Sequence, residues 1–377
     1  MSDVPIIAVM NSQFDLNKRP LVVIWETTQA CDLSCYHCRA CAQPKRHAQE
    51  MNTLAAEALI RDVAKLAPPI FILTGGDPLK RFDIYHLVRY AASLGLRPAM
   101  TPSATPLLTR TAIRELKNSG LSRLAVSLDG STADLHDGFR GVHGSFERTL
   151  NAIRWANEEH LPIQVNTTIS KRNLNDLDAM AELLKSFRIV LWSIFFLVPT
   201  GRGQIDDLPT RQEFEEVFRK LYSFSSDLPF RIKTTEAQHY RRYVLQQRRR
   251  TKGENPLQPF ANFSEKGIPG LLPINDGKGF VFVSHKGEVF PSGFLPVCAG
   301  NVALESLTDI YQNSELLKAL RDTDNLKGKC RECEYRNICG GSRARAYAMT
   351  GDMFAEEPCC IYQPQQAAVE EEIVQVV

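Results

Sequence analysis

The sequence predicts an α/β fold: a partial (β/α)6 barrel of TIM type followed by a small C-terminal α+β domain. Three observations carry this. Short apolar runs alternate six times with helix-period segments between residues 20 and about 200, the pattern of a parallel sheet covered by helices. The polar, glycine-rich or cysteine-rich stretches of this half directly follow the apolar runs, at the rim where a parallel barrel keeps its chemistry. After residue 205 the alternation stops.

In chain order, PLVVIWET (20–27), IFILTG (70–75), RPAMTPS (97–103), LAVSLDG (124–130), IQVNTTIS (163–170) and VLWSIFFLV (190–198) read as strands, rich in Val, Ile, Phe and Thr. TLAAEALIRDVAKLA, DIYHLVRYAASLG, RTAIRELKNSG, SFERTLNAIRWANEE and LNDLDAMAELLKSF read as amphipathic helices, several ending at Gly or starting after Ser, Thr or Asn. The rim stretches are CDLSCYHC, GGDPLK, SATP, SLDG, Asn166 with Thr167, and PTGRG. Residues 210–224 and 236–250 look helical, 251–278 is rich in Pro, Gly and Asn, and GFVFVSHKGEVF is a hairpin turning at Lys286 and Gly287. A helix near 314–321 follows. The expected division is a 1–19 extension, a 20–205 barrel, a 206–278 helical and irregular connecting region, a 279–365 second domain and a 366–377 tail, either a docking element or disordered.

The 377 residues are 44% hydrophobic, with a formal net charge of +2, which suits a sizeable core and argues against a dedicated nucleic-acid binder. Arg241, Arg242 and Arg248 to Arg250 form the one dense basic patch. The N-terminus lacks the pattern of a secretory signal and no stretch reaches the apolar length of a membrane span, so a cytoplasmic protein without a membrane partner is expected. In that compartment the ten cysteines read as metal ligands or reactive thiols rather than disulfides. Cys31, Cys35, Cys38 and Cys41 form one group; Cys330, Cys333, Cys339, Cys359 and Cys360 form another; Cys298 stands alone. Two metal sites are expected.

CDLSCYHC (31–38) places three thiols within eight residues. Three thiolates can hold three irons of a 4Fe-4S cube and leave the fourth open for chemistry, whereas a structural zinc would take a fourth ligand, for which His37 and Cys41 are at hand. Taken with the rest of the rim, the first half resembles the radical S-adenosylmethionine (SAM) enzymes over roughly residues 20–203. Cys31, Cys35 and Cys38 stand at that family's ligand positions and His37 at its aromatic one; Gly75, Gly76, Asp77 and Pro78 match its GGEP stretch, with Asp for Glu; Ser127, Asp129 and Asn166 stand where it contacts the cofactor. The resemblance implies a 4Fe-4S cluster that binds SAM, cleaves it reductively and so abstracts hydrogen from a substrate, with an external one-electron donor such as flavodoxin or ferredoxin. On the physical side, Gly75 and Gly76 let backbone groups approach a cofactor with no Cβ in the way; a plain turn ending the strand is the alternative, as helix capping is for Asp129.

In GKCRECEYRNICGGSRARAYAMTGD and the later EEPCC, four thiols can close either an auxiliary 4Fe-4S cluster or a zinc site. Here the chain resembles the SPASM or twitch-type extension, which implies the cluster, and its motifs are most similar to the radical enzymes of heme and heme d1 formation. The family pattern selects Cys360 over Cys359, giving Cys330, Cys333, Cys339 and Cys360 as ligands. Pro291 is followed by Ser292 where the family often has Cys, which leaves Cys298 as a substitute ligand, a substrate-facing thiol or core. A tetrapyrrole substrate would need cations for its propionates: Arg202, Lys233, Arg241, Arg242, Arg343 and Arg345 are candidates, against a solvated or locally paired role for each. His143 and His239, with Arg202, are the catalytic candidates, His being suited to proton transfer. Two other readings compete: maturation of a ribosomally made peptide, weakened by the short stretch before the first strand, and a non-enzymatic iron-sulfur carrier or sensor.

Overall fold

Along each inner strand alternate side chains face opposite sides. Val23, Trp25, Phe71 and Leu73 are wholly buried in the main core, while Val22, Ile24, Ile70, Ile72 and Thr74 line a central cavity. The computed structural model describes residues 14–252 and 273–364. Its barrel runs β1 (Val22–Glu26), α1 (Thr53–Leu66), β2 (Ile70–Thr74), α2 (Ile84–Ser93), β3 (Pro98–Met100), α3 (Arg110–Asn118), β4 (Arg123–Ser127), α4 (Ala133–Arg140), α5 (Ser145–Glu158), β5 (Ile163–Ile169), α6 (Leu177–Lys185), β6 (Leu191–Phe196), α7 (Arg211–Asp227), β7 (Arg231–Thr235) and α8 (His239–Lys252). From β1 to β7 each strand pairs in parallel with the next.

The chain then returns to the other edge. β8 (Phe280–Val283) pairs in parallel with β1, and β9 (Glu288–Phe290) and β10 (Gly300–Asn301) follow antiparallel, giving one ten-stranded sheet. The hairpin turns at Gly287, whose φ of 88° suits a residue without Cβ. β7 and β8 share no ladder, yet they face each other across the barrel: the Lys233 ammonium lies 5.8 Å from the centroid of the Phe280 ring. The last segment holds α9 (Leu307–Asn313), α10 (Glu315–Arg321), α11 (Gly328–Glu332) and α12 (Arg343–Thr350).

The six expected strands form in order, and two elements join them. β7 lies in the stretch expected to be helical and irregular; its sequence RIKTT carries two cations on the face that lines the cavity, so it lacks an apolar signature. α4 lies where only a rim loop was expected, its eight residues being half polar with Gly138 among them. The helix expected near 314–321 forms at Glu315–Arg321, and a further helix, Leu307–Asn313, precedes it across Ser314. The hairpin assigned to the second domain continues the barrel sheet. The tail and most of the Pro/Gly/Asn-rich segment lie outside the described residues. Among the described residues no helix is long and apolar enough to cross a membrane.

Candidate active site

The loop after β1 carries Cys31, Cys35 and Cys38, and three neighbouring segments hold its backbone. From the loop after β2, Gly76 N–H donates to Thr28 O at 2.8 Å and Asp77 N–H to Ala30 O at 2.6 Å. At the end of α4, Arg140 O accepts from Ser34 N at 3.0 Å and Phe139 O from Tyr36 N at 3.2 Å; after β6, Arg202 N–H donates to Cys38 O at 3.0 Å. Close packing explains the glycines. A Cβ on Gly75 would come within 2.4 Å of Thr28 O, one on Gly76 within 2.3 Å of Ala30 O, and one on Gly201 within 2.4 Å of Cys38 O. Gly75 and Gly76 line the thiol cavity, and the space a Cβ would fill at either is taken by the backbone of the cysteine loop, so their lack of a side chain serves loop packing there.

The three thiols face one cavity of about 210 Å³, lined also by His37, Gly75, Gly76, Ser127, Arg140 and Asn166. Cys31 and Cys35 are buried and Cys38 half-buried. The Cys31 sulfur lies 3.2 Å from Ser103 Oγ, which itself donates to Gly76 O at 2.8 Å. Arg140 Nη1 lies 3.6 Å from Cys35 Sγ, and its other end grips the fully buried Asp129 carboxylate. Burial opposes the charge of Asp129, but Arg140 and the Thr168 N–H outweigh it and keep its pKa below the usual value. The His37 ring sits edge-on to Tyr36 and Phe139, and burial lowers its pKa to about 4, so the ring is neutral; its Nδ1 has no hydrogen-bond partner among the described residues.

Asp77, Pro78 and Asp129 are close to the cavity without lining it. Asp77 accepts from Thr105 Oγ1 at 2.7 Å and caps the short turn begun by Pro78, and burial raises its pKa to about 6. Asp129 orients Arg140. Arg140 is a site residue that the sequence reading passes over, and Ser103 has a place on the rim in SATP without a role; an arginine near the end of a short helix gives no signal of its own. Arg202 lies near enough to His37 to act on its charge, with Nε and Nη2 buried and without a hydrogen-bond partner among the described residues. His143 is exposed beside Asp137 and lies outside the cavity. Cys41 is exposed.

A second cavity, of about 290 Å³, adjoins the first through the shared lining of Arg39, Thr74, Thr101, Asn166, Phe195 and Phe294. It runs down the inside of the barrel. Ile24, Ile72, Leu191 and Phe282 give it apolar walls, and Arg97, Arg123, Arg231, Lys233 and Arg241 give it cations. Of the arginines suggested for substrate carboxylates, Arg241 lines this cavity while donating to Ile338 O and Ile274 O, and Arg242 pairs with Glu215. Arg343 and Arg345 are buried ties: Arg343 donates to Met353 O and Ala355 O, Arg345 to Glu357 and Leu197 O. A substrate role for Arg242, Arg343 and Arg345 is thereby corrected to a structural one.

Cys330, Cys333, Cys339 and Cys360 surround a small cavity with His239, Arg242 and Lys329, and Cys359 packs into the main core. His239 is buried against Phe214 and Phe218, with neither ring nitrogen hydrogen-bonded among the described residues; it stands at this cysteine group and not at the first cavity. Burial raises the pKa of Cys333 to about 12 and that of Cys339 further, so uptake of a metal cluster must displace their protons. Cys298 is exposed and donates to Gly300 O at 3.3 Å, which removes the core reading.

Both groups of residues fit iron-sulfur clusters: thiols line each cavity, and buried nitrogens without a hydrogen-bond partner among the described residues, Arg140 Nε and His37 Nδ1 at the first and both of His239 at the second, stand beside them. The comparisons agree. The Radical SAM superfamily pattern matches residues 25–184, and an iron-sulfur cluster-binding domain, SPASM, matches residues 275–334. An AdoMet-dependent heme synthase of Methanosarcina barkeri is 41% identical over 350 residues, covering 93% of this chain and 98% of its own. A PqqA peptide cyclase of Rhizobium meliloti is 27% identical over 363 residues, covering 95% and 91%. In fold, SuiB of Streptococcus suis, solved with S-adenosylmethionine, has a TM-score of 0.71 at 16% identity, covering 92% of this chain and 78% of its own. The non-enzymatic carrier reading falls, and the chain belongs to the radical SAM superfamily, as an enzyme with a SAM-binding 4Fe-4S cluster and a C-terminal SPASM domain for auxiliary iron-sulfur binding.

Proposed function

We propose that this enzyme oxidatively decarboxylates propionate side chains of an iron porphyrin, as heme formation requires. In each turnover a propionate gives up one hydrogen atom to a 5'-deoxyadenosyl radical, then carbon dioxide and one electron, which passes to an external one-electron acceptor such as oxidised flavodoxin or ferredoxin, leaving a vinyl group. The cluster, when bound, supplies the electron that splits SAM, with an external donor such as flavodoxin or ferredoxin supplying the reductant. Cys31, Cys35 and Cys38 hold it; Arg140, Ser127 and Asn166 are placed to bind the polar groups of SAM; Arg39 and Phe294 stand between the two cavities. A cytoplasmic setting goes with this reading.

The observation that carries it is the second cavity: apolar walls for a macrocycle and converging cations for its carboxylates, continuous with the cavity of the three thiols. The 41% identity to a heme synthase supports it. Peptide modification is the second reading, favoured by the cyclase relative. Anaerobic turnover of the reconstituted enzyme with SAM, dithionite and iron-coproporphyrin III is expected to give porphyrin products that have lost carbon dioxide, read by mass spectrometry. Unchanged porphyrin, with modification of a short peptide instead, would reverse the order.

A further inference from the structure

The end of the large cavity remote from the thiols is built from residues that SAM cleavage does not use. Arg97 immediately precedes β3, Arg123 opens β4, and Arg231 and Lys233 belong to β7. All four line the cavity. Because β1 to β7 are parallel, Arg97, Arg123 and Arg231, at N-terminal strand ends, gather at one mouth, opposite the rim of Cys31, Cys35 and Cys38, and Lys233, in mid-strand, has its ammonium 5.8 Å from the ring of Phe280 at the start of β8. Arg123 and Ser127 lie on one face of β4, and four residues of strand put Arg123 about 13 Å from the level of Ser127. Arg97 and Arg231 are exposed, Arg123 and Lys233 half-buried, so this end meets solvent.

The charges here are of one sign. Burial, together with Arg241 and Arg123, lowers the pKa of Lys233 to about 8. The carboxylates lining the same cavity are tied elsewhere, Glu236 accepting from Ser342 Oγ and Asp276 from Ala344 N–H. Converging cations hold a high local potential that an anionic ligand relieves. A carboxylate at this mouth keeps part of its hydration, whereas one deep in the barrel does not.

We propose that Arg97, Arg123, Arg231 and Lys233 form a carboxylate anchor that grips the propionates of the porphyrin edge that does not react, and so decides which edge faces the thiol-lined cavity. The proposal rests on the porphyrin reading above. Its ligand is a planar apolar ring with carboxylates on opposite edges, one edge held wet and the other dry.

The test titrates reconstituted wild type, an Arg231→Ala/Lys233→Ala double variant and Lys233→Arg with iron-coproporphyrin III and with its tetramethyl ester, following the Soret band. The double variant is expected to bind the acid at least roughly tenfold more weakly than wild type, each lost charged contact being worth about a tenfold change or more. Wild type and double variant bind the ester alike, and Lys233→Arg keeps most of the acid affinity. Equal iron and sulfide contents show that the proteins are folded; Arg231→Gln, at an exposed position, gives the same comparison if the double variant loses iron. Acid binding as tight as wild type, or ester binding weakened as much as acid binding, overturns the anchor while leaving the porphyrin reading standing. Failure of wild type to bind either porphyrin overturns both.

Discussion

Gly76 shows how a single missing Cβ positions a reaction centre. Its N–H bonds Thr28 O, and the added methyl of alanine would meet Ala30 O at 2.3 Å, too close for anything but a shift of one loop against the other. That loop carries Cys31. Gly76→Ala is therefore expected to cost about 1–3 kcal/mol through overpacking and to lower deoxyadenosine formation from SAM more than it lowers the thermal midpoint. Iron analysis, product chromatography and a melting curve read these; wild-type turnover would contradict the account. At this scale the sequence was uneven. Cysteines at CxxxCxxC spacing declare themselves because few structural roles want three clustered thiols in a reducing compartment. Arg140 does not, because its meaning depends on Asp129 and Cys35 meeting it from other elements, and Arg343 and Arg345 read as substrate cations or as locally paired ones until Glu357 and several carbonyls are seen to surround them.

Between elements, Arg345 ties the C-terminal segment to the barrel through the Leu197 and Glu236 carbonyls and is itself held by a buried ion pair within that segment. Arg345, on α12, pairs with Glu357 at 3.2 Å and donates to Leu197 O after β6; Glu357 accepts from Ser342 N–H and from Cys359 N–H, beside the ligand candidate Cys360. Burial works against the Glu357 charge, but Arg345, His239 and these N–H groups outweigh it and hold its pKa at about 2. The stabilisation is thus present above the unfolded carboxyl value and is lost as pH falls through about 2. Glu357→Gln leaves Arg345 buried without its counter-charge, a loss of about 3–5 kcal/mol. The variant is expected to lose the roughly four irons of the second cube while keeping the signal of the first, read by iron content and electron paramagnetic resonance. Full iron content in this variant would show that the pair does not support the cysteines. Six parallel strands were legible because apolar, β-branched runs have one reading there, whereas β7 was hidden by Arg231 and Lys233. The residues that make β7 unlike a strand are those the cavity needs.

Over the whole molecule, one cavity system leads from the thiols through Arg39, Asn166 and Phe294 to the cationic mouth of the barrel. Superfamily membership assigns radical chemistry to one end; the substrate must be inferred from the other, where sequence could offer scattered cations but not their convergence. The claim that joins the ends is that the radical takes its hydrogen from a porphyrin propionate. The most direct measurement supplies iron-coproporphyrin III deuterated along its propionate chains, with SAM and dithionite, and weighs the 5'-deoxyadenosine formed. Deuterium in the deoxyadenosine, matched by carbon dioxide lost from the porphyrin, is the predicted result. Deoxyadenosine free of deuterium, formed while the labelled porphyrin is bound and unchanged, would contradict the account.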